Sequence, residues 1–351
     1  MTSCPMTSRE ILEQSQKLLR ELLICKFGIS YLDDALGGMA PGEVSLFGAR
    51  TGGGKTELST TVLLTQQNPI KKACKAVAYF ALDHEPGEIE KRTLWRLIIE
   101  QIKAAKLTEH CNIAWRFRDW LNGQYRDLLK DFENDGGLYL KHLFALSETQ
   151  FIYRKGGMSA EEISEFIADN AIRFNLFIID HFHAIQQGSI PNQFLAQEQN
   201  IKLICQAAEE AERPVLLLGQ FKKRTGGNTK CPIPEIEDFS GSSQLSYIPQ
   251  NIIVMAPKIE KDSKLWKTYF HVAKSREAGD AKPFVGVHSF NNDTKKYSDN
   301  YEVFRFQPFD LPLSIDQQEL PRWCKHAVVS NELEPVINKS FARETYRKDL
   351  E

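Results

Sequence analysis

The sequence predicts an α/β protein with a mainly parallel central sheet flanked by helices. Three observations predict it. Short apolar runs alternate with helical segments from Phe27 onward, and one of those runs leads through a glycine-rich turn into a helix. Of the 351 residues, 42% are apolar and 26% charged, the balance of an ordinary water-soluble globular chain. That length suits one large α/β domain or two smaller ones. No stretch approaches the ~18 uninterrupted apolar residues of a membrane helix. The 44 Lys and Arg nearly balance the 46 Asp and Glu, for a net charge of -2. A general basic coat for nucleic acid is therefore excluded, whereas a local basic channel is not.

Taken in order, the first element is an amphipathic helix. Thr7-Ser8-Arg9-Glu10 has the pattern of a capping box, and Ile11, Leu12, Leu18, Leu19, Leu22 and Leu23 recur at helical spacing before Cys25. This helix either folds back on its own core or docks on a neighbouring subunit. Strands are then expected at 44–47, 76–82, 176–179, 214–218, 251–255 and 268–273. Between the second and third lies a long, largely helical stretch, roughly residues 86–174. It holds Trp95, Trp115, Phe117, Trp120, Tyr125 and Phe132, read as core in preference to a base-stacking surface. After Phe309 the pattern fades into a charged tail with a helix expected at 339–348. The seven cysteines contain no CxxC pair, so neither a zinc module nor a disulfide framework is supported. Free thiols and the lack of a signal-like N-terminus make a cytoplasmic location the expectation.

The chemistry is concentrated in EVSLFGARTGGGKTELSTTVLL, residues 43–64. An apolar strand runs into Ala49-Arg50-Thr51-Gly52-Gly53-Gly54-Lys55-Thr56 and a helix follows, which is a phosphate-binding loop with Ala in its first position. Glycines let backbone N–H groups curl around a β-phosphate, Lys55 balances β/γ charge, and the Thr56 hydroxyl suits Mg²⁺. The helix N-terminus adds partial positive charge. ATP and Mg²⁺ are thus the expected ligands. Strand 176–179 ends in Asp180, which either organises the metal shell or caps the next turn. His181 and His183 follow at a spacing that suits orienting or packing roles better than metal ligation. Strand 76–82 ends in Asp83-His84-Glu85, and either acid can orient water against a γ-phosphate or lie in a solvated turn.

These residues resemble the RecA-like P-loop NTPase core of hexameric replicative DNA helicases, the DnaB-like family. That core also forms the helicase domain of phage primase-helicases and of the mitochondrial replicative helicase. The resemblance opens at GISYLDDALGGMAPGEVSLFGARTGGGKT. It continues in order through FALDHE, MSAEEISEFIADNAIRFNLFIIDHF, LLLGQFKKR, DFSGSSQLSYIPQNIIVM and VAKSREAGD, covering roughly residues 28–308. It implies an N-terminal linker helix (1–27), a helicase/ATPase domain (28–308) and a tail of unplaced role (309–351). Position by position, it implies that Gln220 senses the γ-phosphate. Lys274 and Arg276 would reach into the next subunit's nucleotide, and Phe290 would lie against adenine. DNA contacts fall on Lys222, Lys223 and Arg224 and on Ser240, Gly241 and Ser242. The implied function is ATP-driven translocation on single-stranded DNA with duplex unwinding by a ring, expected to be a hexamer, with a separate primase or loader as partner. Two departures stand out: Asp83 takes the place of a longer Glu, and Ser240 stands where Arg is frequent. A recombinase-like filament ATPase and a DNA-independent KaiC-like regulatory ATPase remain as alternatives.

Overall fold

The computed structural model describes residues 23–66, 75–83, 87–104, 115–125, 148–154, 156–188, 190–221, 233–238, 247–258, 265–308 and 312–328, with positions 85, 245 and 310. The capping box at Thr7 and most of the first expected helix lie outside the described residues. So do Phe132 and the helix expected at 339–348.

Six strands form the parallel half of one sheet: β1 (Val44–Ala49), β2 (Val77–Ala81), β3 (Thr149–Tyr153), β4 (Leu176–Asp180), β5 (Val215–Gln220) and β6 (Asn251–Lys258). Their order is β6-β1-β5-β4-β2-β3. β1, β2 and β4 are buried along their whole length, which is why their sequences read as unbroken apolar runs. Alternate residues feed two cores. Phe177 and Ile179 face α5 (Ala160–Asp169) and α6 (Gln193–Ala211). Leu176 and Ile178 join the core that contains α1 (Ser30–Leu36) and α2 (Lys55–Gln66). A capping box starts α5, Ser159 Oγ accepting from the Glu162 N–H at 3.2 Å while the Ser159 N–H donates to Glu162 at 2.9 Å.

The other half of the sheet is mainly antiparallel, which qualifies the expectation of a mainly parallel sheet. β7 (Leu265–Ser275) and β8 (Phe284–Asn291) extend from β6 as a meander, followed by β9 (Lys296–Tyr297), β10 (Tyr301–Arg305) and β11 (Leu313–Ser314). The stretch 86–174 also needs correction. It contains α3 (Glu88–Ala104) and α4 (Phe117–Leu121), but β3 lies within it, pairing parallel to β2. The segment TQFIY is rich in strand-forming residues, and its neighbour β2 supplies the partner that local helical periodicity cannot. Trp95, Trp115 and Tyr125 are buried together with Phe117 and Trp120 packed against them, as the core reading requires.

The chain beyond residue 308 returns to the same core. β12 (Ala327–Val328) pairs with β10, and Trp323 lies 5.8 Å from the Tyr31 ring. Asp34 fastens this strap, accepting from Tyr301 OH at 2.8 Å, Lys325 N–H at 2.9 Å and His326 N–H at 3.0 Å. At the other end, Cys25 and Met39 exchange backbone hydrogen bonds at 3.0 and 2.7 Å. The neighbouring Asp33 carboxylate accepts from the Phe27 and Gly28 N–H groups at 2.7 and 2.9 Å.

Burial pushes the Asp33 carboxyl up to about 6, against the lowering pull of those two N–H groups and Lys26. The folded state therefore binds this proton more tightly than the unfolded chain. Its stabilising contribution is complete below the unfolded carboxylate range near ~3.9 and is lost as pH rises through about 6. Relative to Asp33→Asn, the protein should lose about 2–3 kcal/mol of unfolding free energy between pH 4 and 7. Urea unfolding of both proteins across that range measures it. His271 and His288 are held down to about 4 by burial and act in the opposite sense. They do so in both proteins, so the difference isolates Asp33, and a flat difference would disprove its role.

Candidate nucleotide-binding site

In open parallel sheets ligands gather at the carboxyl ends of the strands, and here that edge brings the sequence-distant candidates together. Ala49 at the end of β1 stands in register with Gln220 at the end of β5, and Ala81 of β2 with Asp180 of β4. The loop after β1 closes on itself through the Gly53 N–H to Arg50 O bond at 2.9 Å. Gly52 and Gly54 have φ of +72° and +85°, and a Cβ on Gly53 would lie 2.7 Å from Arg50 O. The backbone of Arg50 and Thr51 thus passes into α2 through a turn that side-chain-bearing residues cannot make. Met255 Cε and Tyr297 Oη lie 3.7 and 3.9 Å from where a Cβ on Gly54 would be, and form the floor beneath the loop.

Lys55 opens α2. Burial lowers the pKa of its ammonium, while Asp180 and Asp83 pull it back up. Asp180 is 2% exposed and accepts a hydrogen bond from Tyr79 OH at 2.9 Å, and that hydroxyl is 2.7 Å from Ser59 Oγ on α2. The chain Ser59–Tyr79–Asp180 aims the carboxylate relative to the helix that carries Thr56. The Asp180 carboxylate and Thr56 hydroxyl are hard oxygen donors of the kind Mg²⁺ takes, and beside a glycine-lined cradle they fit a metal-bound phosphate. Tyr79 is missing from the candidates read in the sequence. Its signal is a tyrosine in a fully buried strand, whose hydroxyl needs a partner.

The two acids after β2 differ in placement. Asp83 is 69% exposed, 3.9 Å from His181 Nδ1, and close enough to Lys55 to favour its charge. Glu85 is exposed further along the segment, where its carbonyl accepts from the Glu88 N–H at the start of α3. Gln220 Nε2 donates to Thr51 Oγ1 at 2.6 Å, tying the end of β5 to the phosphate loop. The next residue, Phe221, is buried and bonds through its N–H to Ala49 O at 3.2 Å. Lys222, Lys223, Arg224, Ser240, Gly241 and Ser242 lie outside the described residues.

Lys274 and Arg276 are at the other edge. Ser275 pairs with Asn251, which pairs with Ser45 at the beginning of β1. Four residue rises along the strand, about 13 Å, separate Ser45 from Ala49, where the phosphate loop begins. Arg276 is exposed and lies near Glu43, whose pKa burial raises against a lowering pull that includes Arg276. Lys274 Nζ donates to Pro249 O at 2.8 Å and to Tyr247 O, so it braces the segment before β6 on its own chain. Phe290, expected against adenine, packs within the fold of its own chain. It is 4% exposed, with Tyr297 at 4.7 Å and Trp266 at 6.1 Å between ring centroids, and its neighbours in β7 and β9 occupy it.

A glycine cradle, a lysine whose charge Asp180 and Asp83 favour and a glutamine bonded to the loop define a P-loop nucleotide-binding domain of RecA-like architecture. Residues 25–298 match the DnaB-like helicase C terminal domain, and the chain belongs to that family. It is 22% identical over 313 residues to the replicative DNA helicase DnaB of Mycoplasma genitalium (strain ATCC 33530 / DSM 19775 / NCTC 10195 / G37). The match covers 83% of this chain, and the chain spans 61% of that relative's length. Among solved structures, that of a DnaB-like replicative helicase and its interactions with primase superposes with a TM-score of 0.56 at 14% identity. It covers 84% of this chain and 67% of the other. A second solved structure, an isolated ATPase domain, gives a TM-score of 0.55 at 17% identity, covering 84% of this chain and 99% of that domain. Among the described residues no helix is long and apolar enough to cross a membrane.

Proposed function

We propose that the chain is an ATP-driven motor that assembles head-to-tail into a ring, a hexamer by family resemblance, and moves along single-stranded DNA to unwind duplex. The observation that carries this reading is the placement of the phosphate loop and Arg276 at opposite edges of one sheet. An exposed guanidinium about 13 Å of strand away from its own phosphate loop suits a neighbour's nucleotide better than its own. Lys55 binds the β/γ-phosphates, and Asp83, beside Lys55, orients the attacking water. When Mg²⁺ is bound with ATP, Thr56 and Asp180 hold it, and it supplies charge neutralisation at the phosphates. Gln220 relays phosphate loss through Thr51 and through the backbone bond of Phe221, the residue immediately before Lys222. The DNA-facing loops would be 221–230 and 238–243, the first of them basic. A separate primase or loader is the partner class this reading calls for.

The test is ATP hydrolysis with and without single-stranded DNA, beside strand displacement on a forked duplex. Turnover stimulated several-fold by DNA, with displacement, is the expected result. Turnover indifferent to DNA and no displacement would favour a regulatory ATPase, and an open filament on DNA would favour a recombinase.

A further inference from the structure

Directly after Thr56 the chain carries Glu57, 8% exposed on α2, and three cations converge on it. Arg96 Nη2 donates to its carboxylate at 2.9 Å, Arg92 Nη1 makes a close ion pair with it, and Lys295 Nζ lies 3.8 Å away. Each cation comes from a structure that borders the nucleotide site. Arg92 and Arg96 are on α3, which begins where the Asp83–Glu85 segment ends. Arg92 also donates through Nη2 to Glu88 at 2.9 Å, and the Glu88 N–H holds Glu85 O at 3.1 Å. Lys295 is in the turn between β8 and β9, two residues before the Tyr297 that lies under Gly54. One carboxylate therefore joins the phosphate-loop helix, the helix behind the water-orienting acid, and the hairpin beneath the loop.

An ion cluster of this kind is weak evidence for stability, because desolvation offsets much of the attraction, and fixing geometry is its better-attested use. The parts it joins differ in what else holds them. The phosphate loop is shaped by its own backbone and glycines. The acid segment is anchored at its start, by Leu82 N–H to Asp180 O at 2.8 Å, and at its end by the route Glu88–Arg92–Glu57 and by Tyr153, whose hydroxyl donates to Glu90 at 3.2 Å. We propose that Arg92 and Glu57 are positioning residues that set Asp83 against Lys55, so that turnover depends on them and nucleotide affinity does not. This rests on the ATPase reading above.

The experiment uses the full chain and measures, for each protein, affinity for a fluorescent ATP analogue, steady-state ATP turnover and the melting temperature. Arg92→Met should leave affinity within about twofold and lower kcat about tenfold or more, because a misplaced acid costs rate at constant binding. Arg92→Lys should recover only part of kcat, since an ammonium cannot bridge Glu57 and Glu88 as the guanidinium fork does. Glu88→Gln, at a half-exposed position that leaves the Glu57 pairs intact, should lower kcat about threefold with unchanged melting. If Arg92→Met does not fold, Glu88→Gln and Arg92→Lys decide. Turnover in those variants equal to that of the unaltered protein, or a fall that only tracks melting and affinity together, overturns the proposal. An unaltered protein with no turnover overturns the ATPase reading itself, and this inference with it.

Discussion

Arg276→Ala should lower ATP turnover of the assembled protein by about 10³-fold or more while nucleotide binding by each chain persists. The size follows from the proposed role: a guanidinium that meets the transferring phosphoryl group acts on charge that develops in the transition state, so its loss would fall on kcat. The geometry adds a sharper expectation. Arg276 stands with Ser275 at the amino edge of the sheet, while Lys55 stands at the carboxyl edge, so on the proposed reading each site is completed by a neighbouring chain. Mixing Arg276→Ala with Lys55→Ala should therefore restore turnover well above either variant alone. Where an Arg276-bearing subunit abuts a Lys55-bearing one, the proposed arrangement would give a complete site. Strict additivity in the mixture, or full activity of Arg276→Ala, would remove the finger from the account. Lys274→Ala should act differently, because its ammonium is engaged with the carbonyls of Tyr247 and Pro249 on its own chain.

Lys55→Ala should lower turnover by about 10²–10³-fold and weaken ATP binding as well. The Lys55 ammonium is partly withdrawn from water, which lowers its pKa, yet Asp180 and Asp83 beside it favour the charged form. It is therefore a cation already placed and partly desolvated before the triphosphate arrives, and such a charge counts for more than one in bulk water. The neutral variant leaves Asp180 and Asp83 facing incoming phosphate without compensation, so affinity falls too. Equilibrium binding of a fluorescent ATP analogue together with steady-state hydrolysis separates the two losses. Unchanged binding alongside unchanged turnover would show that the phosphates lie elsewhere.

The phosphate loop was legible because its chemistry is local. Eight consecutive residues from Ala49 to Thr56 carry the φ-permissive glycines, the cation and the hydroxyl, and a buried strand and a helix flank them. Asp180 was legible for a related reason, since a fully buried parallel strand reads as LFII and its polar terminus must lie at the sheet edge. β3 was less so: five residues within a long aromatic stretch become a strand through pairing with β2, a contact distant in sequence. Phe290 shows the same limit at one side chain. HSFN does not say whether its aromatic ring meets a ligand or the interior, and pairing with Trp266 and packing on Tyr297 placed it inside.

Contiguous residues were therefore enough for the strand–loop–helix that cradles phosphate, for the apolar strands beside it and for the family to which the chain belongs. Each rests on neighbours along the chain or on a period that one segment carries alone. The sheet order, the antiparallel half and the return of the strap to Asp34 emerged with the closed fold. So did the Tyr79–Asp180 bond, the convergence of Arg92, Arg96 and Lys295 on Glu57, and the separation of Arg276 from its own phosphate loop. One cause is common to all of these. Strand register and helix packing bring together groups tens to hundreds of residues apart, and their charges and hydroxyls acquire partners only when the chain has closed around them.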